Sequence, residues 1–150
     1  DVCKKMSIID VGCAKGGALF CMTKFPFSEI CGIDISEKLV EIAKKNFTVF
    51  RDARVKIEHC DATKYQMYSS YNLIYLYNPF PSKVFKKFIR NITKSIEEKT
   101  ECILIYNNPV CHNDVIQNGF RKVFDFPGAY GNKISIYSNK SESRKLNHLK

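Results

Sequence analysis

The amino-acid sequence predicts an α/β fold: a doubly wound, mostly parallel sheet with helices on both faces and an antiparallel pair at the end. Three observations carry this. Short apolar runs alternate with segments of helical period along the chain. The runs at 72–77 and 101–106 are apolar on both faces, as parallel strands covered from both sides must be. The last two runs, 120–126 and 133–138, are joined by the short turn Pro127-Gly128-Ala129-Tyr130-Gly131, so they pair antiparallel.

Taken in order, residues 7–11 (Ser-Ile-Ile-Asp-Val) form the first strand. A helix over 18–25 follows and stops at Pro26. Residues 29–34 form the second strand. Ser36 then caps a helix with Leu39, Ile42, Ala43 and Phe47 as its apolar face. The third strand is 55–59 and the fourth 72–77. Ser82 caps the longest helix, with Phe85, Phe88, Ile89, Ile92 and Ile96 at helical spacing. The fifth strand, 101–106, leads to a short helix ending at Gly119. The two final strands complete one domain over residues 1–138, and 139–150 read as a polar, basic tail. A chain of 150 residues, 45% hydrophobic, supports one core and leaves no room for a second.

Composition narrows the function. No apolar run approaches bilayer length, and no signal peptide opens the sequence, so a cytoplasmic location is expected. The first residue is Asp1 rather than Met, the mark of a fragment or a processed chain. Seven cysteines, an odd number with no Cys-x-x-Cys pair, speak for free thiols in a reducing compartment, and no metal site is expected. The net charge of +9 permits a nucleic-acid partner, although lysines scattered over solvated helix faces produce the same figure.

Chemistry concentrates at the strand ends. The first strand runs directly into Asp10-Val11-Gly12-Cys13-Ala14-Lys15-Gly16-Gly17 and then a helix. Such a turn gathers backbone N–H groups and a helix N-terminus at the carboxyl edge of the sheet, where open α/β sheets bind ligands. Gly12, Ala14 and Gly17 are spaced as in a dinucleotide-binding turn, but Ala14 stands where backbone must approach a pyrophosphate. Asp10, Gly12, Ala14 and Gly16 match instead an acidic residue, a spacer, then G-x-G-x-G with Ala in the middle place. The second strand ends in Gly32-Ile33-Asp34-Ile35-Ser36; a carboxylate there accepts from two ribose hydroxyls. The third ends in Cys60-Asp61-Ala62 and the fourth in Tyr77-Asn78-Pro79-Phe80-Pro81. Each has a structural alternative. Asp10 can cap its turn, Asp34 can serve the helix begun at Ser36, Asp61 can be a loop residue, and Asn78 can stay extended before Pro79 merely to end a strand.

The ordered set, over residues 8–137, resembles the class I, Rossmann-like S-adenosylmethionine-dependent methyltransferases. The resemblance implies a seven-stranded sheet with its last strand antiparallel, and S-adenosyl-L-methionine as cofactor. It implies that Asp10, Gly12, Cys13, Ala14 and Gly16 line the methionine part and sulfonium, that Asp34 with Ile35 holds the ribose, and that Asp61 with Ala62 faces the adenine. Asn78-Pro79-Phe80-Pro81 resembles the [Asp/Asn]-Pro-Pro-aromatic motif of amino-group methyltransferases. There Asn78 would border the cofactor and align an acceptor nitrogen, with Pro79 and Phe80 shaping the site. Phe80 takes the second proline's place and Pro81 the aromatic's, so the acceptor stays unidentified. His59 reads as a strand-end residue, while His112, near the open edge, suits a base for an oxygen acceptor. Tyr65–Tyr71 and Pro127–Gly131 are candidate pocket walls. A non-catalytic cofactor- or nucleic-acid-binding module and an NAD-dependent oxidoreductase are the competing readings.

Overall fold

The computed structural model describes residues 2–96 and 101–140. Seven strands form one sheet: β1 (Ser7–Val11), β2 (Glu29–Asp34), β3 (Val55–His59), β4 (Leu73–Tyr77), β5 (Ile103–Asn107), β6 (Arg121–Pro127) and β7 (Lys133–Ser138). Their order is β3-β2-β1-β4-β5-β7-β6. The first five are parallel neighbours, and β7 is antiparallel to both β5 and β6. The arrangement is the one expected. Most of the tail expected over 139–150 lies outside the described residues.

Four helices flank the sheet: α1 (Gly17–Met22), α2 (Glu37–Phe50), α3 (Ser82–Ser95) and α4 (His112–Gln117). Two cores follow from the alternation of side chains across the strands. On one face Ile8, Ile30 and Ile57 pack with Leu19, Met22, Val40, Ala43 and Phe47 of α1 and α2. On the other Ile9, Val11, Ile33, Ile74, Leu76, Leu104 and Tyr137 pack with Phe85, Phe88, Ile89 and Ile92 of α3 and with Val115 of α4. β4 and β5 bury alternate residues fully; the rest are partly buried, and Tyr77 is exposed, so their second face is less covered than an apolar run suggests.

Several local expectations shift. α1 ends at Met22, with Lys24 and Phe25 held in a turn by bonds from their N–H groups to the Cys21 and Met22 carbonyls. Ser36 caps α2 as expected, its hydroxyl accepting from Leu39 N at 3.4 Å. The buried face of α2 is Val40, Ala43 and Phe47, while Leu39 and Ile42 are half-buried. The stripe is rotated because the sheet beneath admits only one ridge. Ser82 is not a cap; Pro81 precedes the first helical residue and no side chain caps α3. Tyr65, Tyr68 and Tyr71 are core residues rather than pocket walls, with the Tyr68 hydroxyl bonded to the Ala62 carbonyl at 2.8 Å.

Candidate functional site

The strand order reverses direction between β1 and β4, and in open α/β sheets ligands bind at the carboxyl ends of the strands beside such a switch point. The turn after β1 forms one wall. Gly12 (φ 79°), Ala14 (φ 47°) and Gly16 (φ 87°) all take the left-handed conformation, so the backbone doubles back sharply before α1. Three bonds set its shape: Gly12 N and Cys13 N donate to the Ile33 carbonyl at 2.9 and 3.0 Å, and Gly16 N to the Cys13 carbonyl at 2.8 Å. The glycines are required by space as well as by φ. A Cβ on Gly12 would stand 2.6 Å from Pro79 Cβ, and one on Gly16 would stand 2.8 Å from the Phe47 ring. Ala14 faces outward and exposed, so its methyl fits, but its φ carries a strain that glycine would not.

Two carboxylates stand behind this turn. Asp34 accepts from Ala14 N through Oδ2 and from Ser36 N through Oδ1, both at 2.9 Å. It therefore clips the β1 turn to the start of α2, and each oxygen keeps a lone pair for a further donor. The helix-start role is thus filled without using up the carboxylate's capacity to accept. Asp10 is buried, 3% exposed, on the sheet face that also carries Gly32 and Tyr75. Burial, with Asp34 adding repulsion, raises its carboxyl to about 7.

Asp61 is a turn residue in its local bonding. Its Oδ1 accepts from the N–H and hydroxyl of Thr63, each at 2.8 Å, and Lys64 approaches Oδ2 at 3.9 Å. These bonds hold its carboxyl below the usual range. Beside it Ala62 is buried, its carbonyl taken by Tyr68 and Asn91. Ile35 is 67% exposed next to Asp34, and its carbonyl meets His59 Nε2 at 2.9 Å, which makes His59 the strand-end residue expected. Cys13 is buried and its thiol is pushed up to about 12, so it packs as a small hydrophobe. All seven cysteines are free. Among the described residues no three His, Cys, Asp or Glu side chains gather as a metal site, and no helix is long and apolar enough to cross a membrane.

The β4 end departs from the extended conformation expected before proline. Asn78 has φ 39°, and Asn108, in the matching place after β5, has φ 56°. Asparagine tolerates this region because its short polar side chain bonds locally. Asn78 Oδ1 accepts from the Tyr106 hydroxyl at 3.1 Å, and that hydroxyl in turn receives Cys111 N at 3.4 Å. Pro79 packs against Gly12. Phe80 turns inward, its ring 5.2 Å from Phe88, and so is partly buried rather than presented to a substrate.

Beyond Asn78, Asn108, Val110, His112, Lys122, Asn132, Lys133 and Ser135 line an open cleft of about 380 Å³. Two hydrogen bonds join its residues to their neighbours. Ser135 Oγ donates to Asp125 Oδ1 at 2.6 Å, as it must, since a carboxylate only accepts. His112 Nδ1 meets the Tyr137 hydroxyl at 2.9 Å. Lys122, at 2.9 Å, and Lys133, at 3.5 Å, flank Asp125 and with Ser135 hold its carboxyl at about 2, fully ionised. Sequence reasoning singled out His112 but missed Tyr106, Tyr137, Ser135 and Asp125, because tyrosines and serines inside strands read as core.

Residues 3–135 match a family described as a methyltransferase domain. The fold matches a magnesium protoporphyrin IX methyltransferase from Synechocystis with a TM-score of 0.71 at 16% identity, covering 90% of this chain and 70% of that one. It matches an S-adenosylmethionine-dependent methyltransferase from Aquifex aeolicus with a TM-score of 0.74 at 15% identity, covering 89% and 81%. A ribosomal protein L11 methylase from Lactobacillus delbrueckii gives 0.67 at 14% identity, covering 91% and 70%. No curated protein matches the sequence. At these identities the structural matches speak for the fold.

Proposed function

The chain belongs to the methyltransferase domain family, and on that premise we propose that it transfers a methyl group from S-adenosyl-L-methionine to an acceptor bound beside Asn78. The observation that carries the reading is the clip between the two acidic strand ends and the left-handed turn. Asp34, fixed by Ala14 N and Ser36 N, keeps lone pairs for two hydroxyls, and Asp10 waits buried behind the same turn. The residues present fit the cofactor. Gly12, Cys13, Ala14 and Gly16 would take its methionine part, Asp34 and Ile35 would border its ribose, and Asp61 with Ala62 would border its adenine. Asp10 is the buried acid that a cationic ligand would stabilise in its ionised form. Structural neighbours solved with S-adenosylmethionine or its demethylated product bound support the choice.

When bound, S-adenosylmethionine supplies a methyl already activated by the sulfonium. The protein then needs only to align donor and acceptor and to exclude water. Pro79 closes against Gly12, and Tyr106 fixes the Asn78 amide, so Asn78 is a rigid acceptor-side landmark. Its second Oδ1 lone pair suits an acceptor N–H. Phe80, buried against Phe88, does not supply the stacking surface. A second reading, an oxygen acceptor, is favoured by one observation: His112 lines the cleft, its ring held through Nδ1 by the Tyr137 hydroxyl. There His112 would take the proton of an acceptor hydroxyl, and the bound cofactor would supply the methyl group.

Titration calorimetry with S-adenosylmethionine and its demethylated product tests the reading. Sub-millimolar binding is expected, weakened at least tenfold in Asp34→Ala. No binding of either ligand, or identical binding by the variant, sinks it; NADH binding in their place would favour the oxidoreductase alternative.

A further inference from the structure

α3 carries an unusual charge pattern. Its fourteen residues, Ser82 to Ser95, include Lys83, Lys86, Lys87, Arg90 and Lys94 and no acidic residue. At 3.6 residues per turn all five cations fall within about a 100° arc of the helix. Phe85, Phe88, Ile89 and Ile92 occupy the opposite arc and are fully buried. All five cations are exposed. Lys86 reaches Asp114 at 3.9 Å, and Lys87 feels Asp61. Lys83, Arg90 and Lys94 form no ion pair among the described residues.

This arrangement costs stability. Like charges at i,i+3 and i,i+4 repel, and Lys83 in the first turn opposes the helix dipole. Acidic residues at some of these places would give equal solubility without the repulsion. α2 shows that alternative, with Glu37 and Glu41 interspersed among Lys38, Lys44 and Lys45. The position of α3 adds a second argument. It begins directly after Asn78-Pro79-Phe80-Pro81, so the first cation stands at the mouth of the candidate site and the row runs away along the sheet face.

We propose that the basic face of α3 binds the phosphate backbone of a nucleic-acid acceptor and leads one of its nucleotides to the loop at Asn78. The row from Lys83 to Lys94 is about 16 Å long, a span of about five phosphates at 3.4 Å per strand. A membrane surface suits the face less well, because the apolar side of α3 is spent in the core and leaves nothing to enter a bilayer. The acceptor role rests on the methyl-transfer reading; the binding role does not.

Fluorescence anisotropy with a labelled 20-nucleotide single-stranded RNA, and with DNA of the same sequence, is the test. Four phosphate contacts predict that affinity falls by about 50-fold between 50 and 200 mM salt. The triple variant Lys87→Gln, Arg90→Gln, Lys94→Gln should bind at least tenfold more weakly at 50 mM salt, with a shallower salt slope. Lys38→Gln, Lys44→Gln, Lys45→Gln on α2 removes the same charge and should lose far less. The proposal is overturned by no binding of either oligonucleotide at 50 mM salt, by equal losses in the two variants, or by a preference for anionic phospholipid vesicles over both oligonucleotides. Calorimetry with S-adenosylmethionine on the α3 variant separates the claims. Oligonucleotide binding through α3 without cofactor binding removes the methyl-transfer reading alone; cofactor binding without oligonucleotide binding removes the α3 proposal alone.

Discussion

Replacing Asp10 by Asn isolates the cost of a buried acid near the carboxyl end of β1. Asp10 is raised from 3.8 to about 7 by burial and by the charge of Asp34. Between these values the folded chain holds a proton that the unfolded chain has released. Stability therefore falls as pH rises through this window, and the loss is complete above about pH 7. Three pH units at 1.36 kcal/mol each make the full cost on the order of 4 kcal/mol, with about 2–3 kcal/mol of it appearing between pH 5 and pH 8. Asp10→Asn carries no titrating group, so urea unfolding followed by circular dichroism should find the variant close to wild type at pH 5 and clearly more stable at pH 8. Other groups titrate in both proteins, and the difference between the two curves cancels them. The same logic reaches the ligand. A sulfonium beside an ionised Asp10 relieves its burial cost, so the preference for S-adenosylmethionine over its uncharged-sulfur product should widen from pH 6 to pH 8 in wild type and stay flat in Asp10→Asn. Parallel stability curves for the two proteins across pH 5–8 would refute the reasoning.

Three further substitutions probe the crevice. Gly12→Ala places a methyl 2.6 Å from Pro79 Cβ at φ 79°, so thermal unfolding should show about 2–4 kcal/mol of lost stability and calorimetry a loss of cofactor binding. Ala14→Gly relieves a left-handed alanine at φ 47° on an exposed site; a gain of about 1 kcal/mol, seen as about 3 °C in Tm, is expected, with the cofactor affinity retained. Tyr106→Phe removes the hydroxyl that joins Asn78 Oδ1 to Cys111 N. It should cost about 1–3 kcal/mol in urea unfolding through the unpaired groups, and should leave the Asp34-dependent cofactor affinity unchanged.

The fold was legible because its signals are local. Strand boundaries at 7–11, 29–34, 55–59 and 133–138 coincide with the observed strands, since apolar runs between turn residues have one way to hide. The four acidic or amide strand ends were legible for the same reason: a parallel sheet brings the carboxyl ends of its strands to one edge, so their sequence positions predict a common place. What a single helix or strand end could not reveal is which partner its side chain finds. The rotated face of α2, the burial of Phe80 and the left-handed Asn78 depend on neighbours far away in the chain. The Ser135–Asp125 and His112–Tyr137 hydrogen bonds join β7 to β6 and to α4, and no local pattern announces them.

By itself, then, the sequence determined the sheet, its direction of winding and the edge where a ligand belongs, because those follow from hydrophobic period and the geometry of crossovers. Only the tertiary structure decided the chemistry at that edge. Burial raised Asp10, Ala14 and Ser36 clipped Asp34, Tyr106 fixed Asn78, and Tyr137 held the His112 ring beside the cleft. Each is an effect of distance and desolvation, which exist only once the chain has closed on itself.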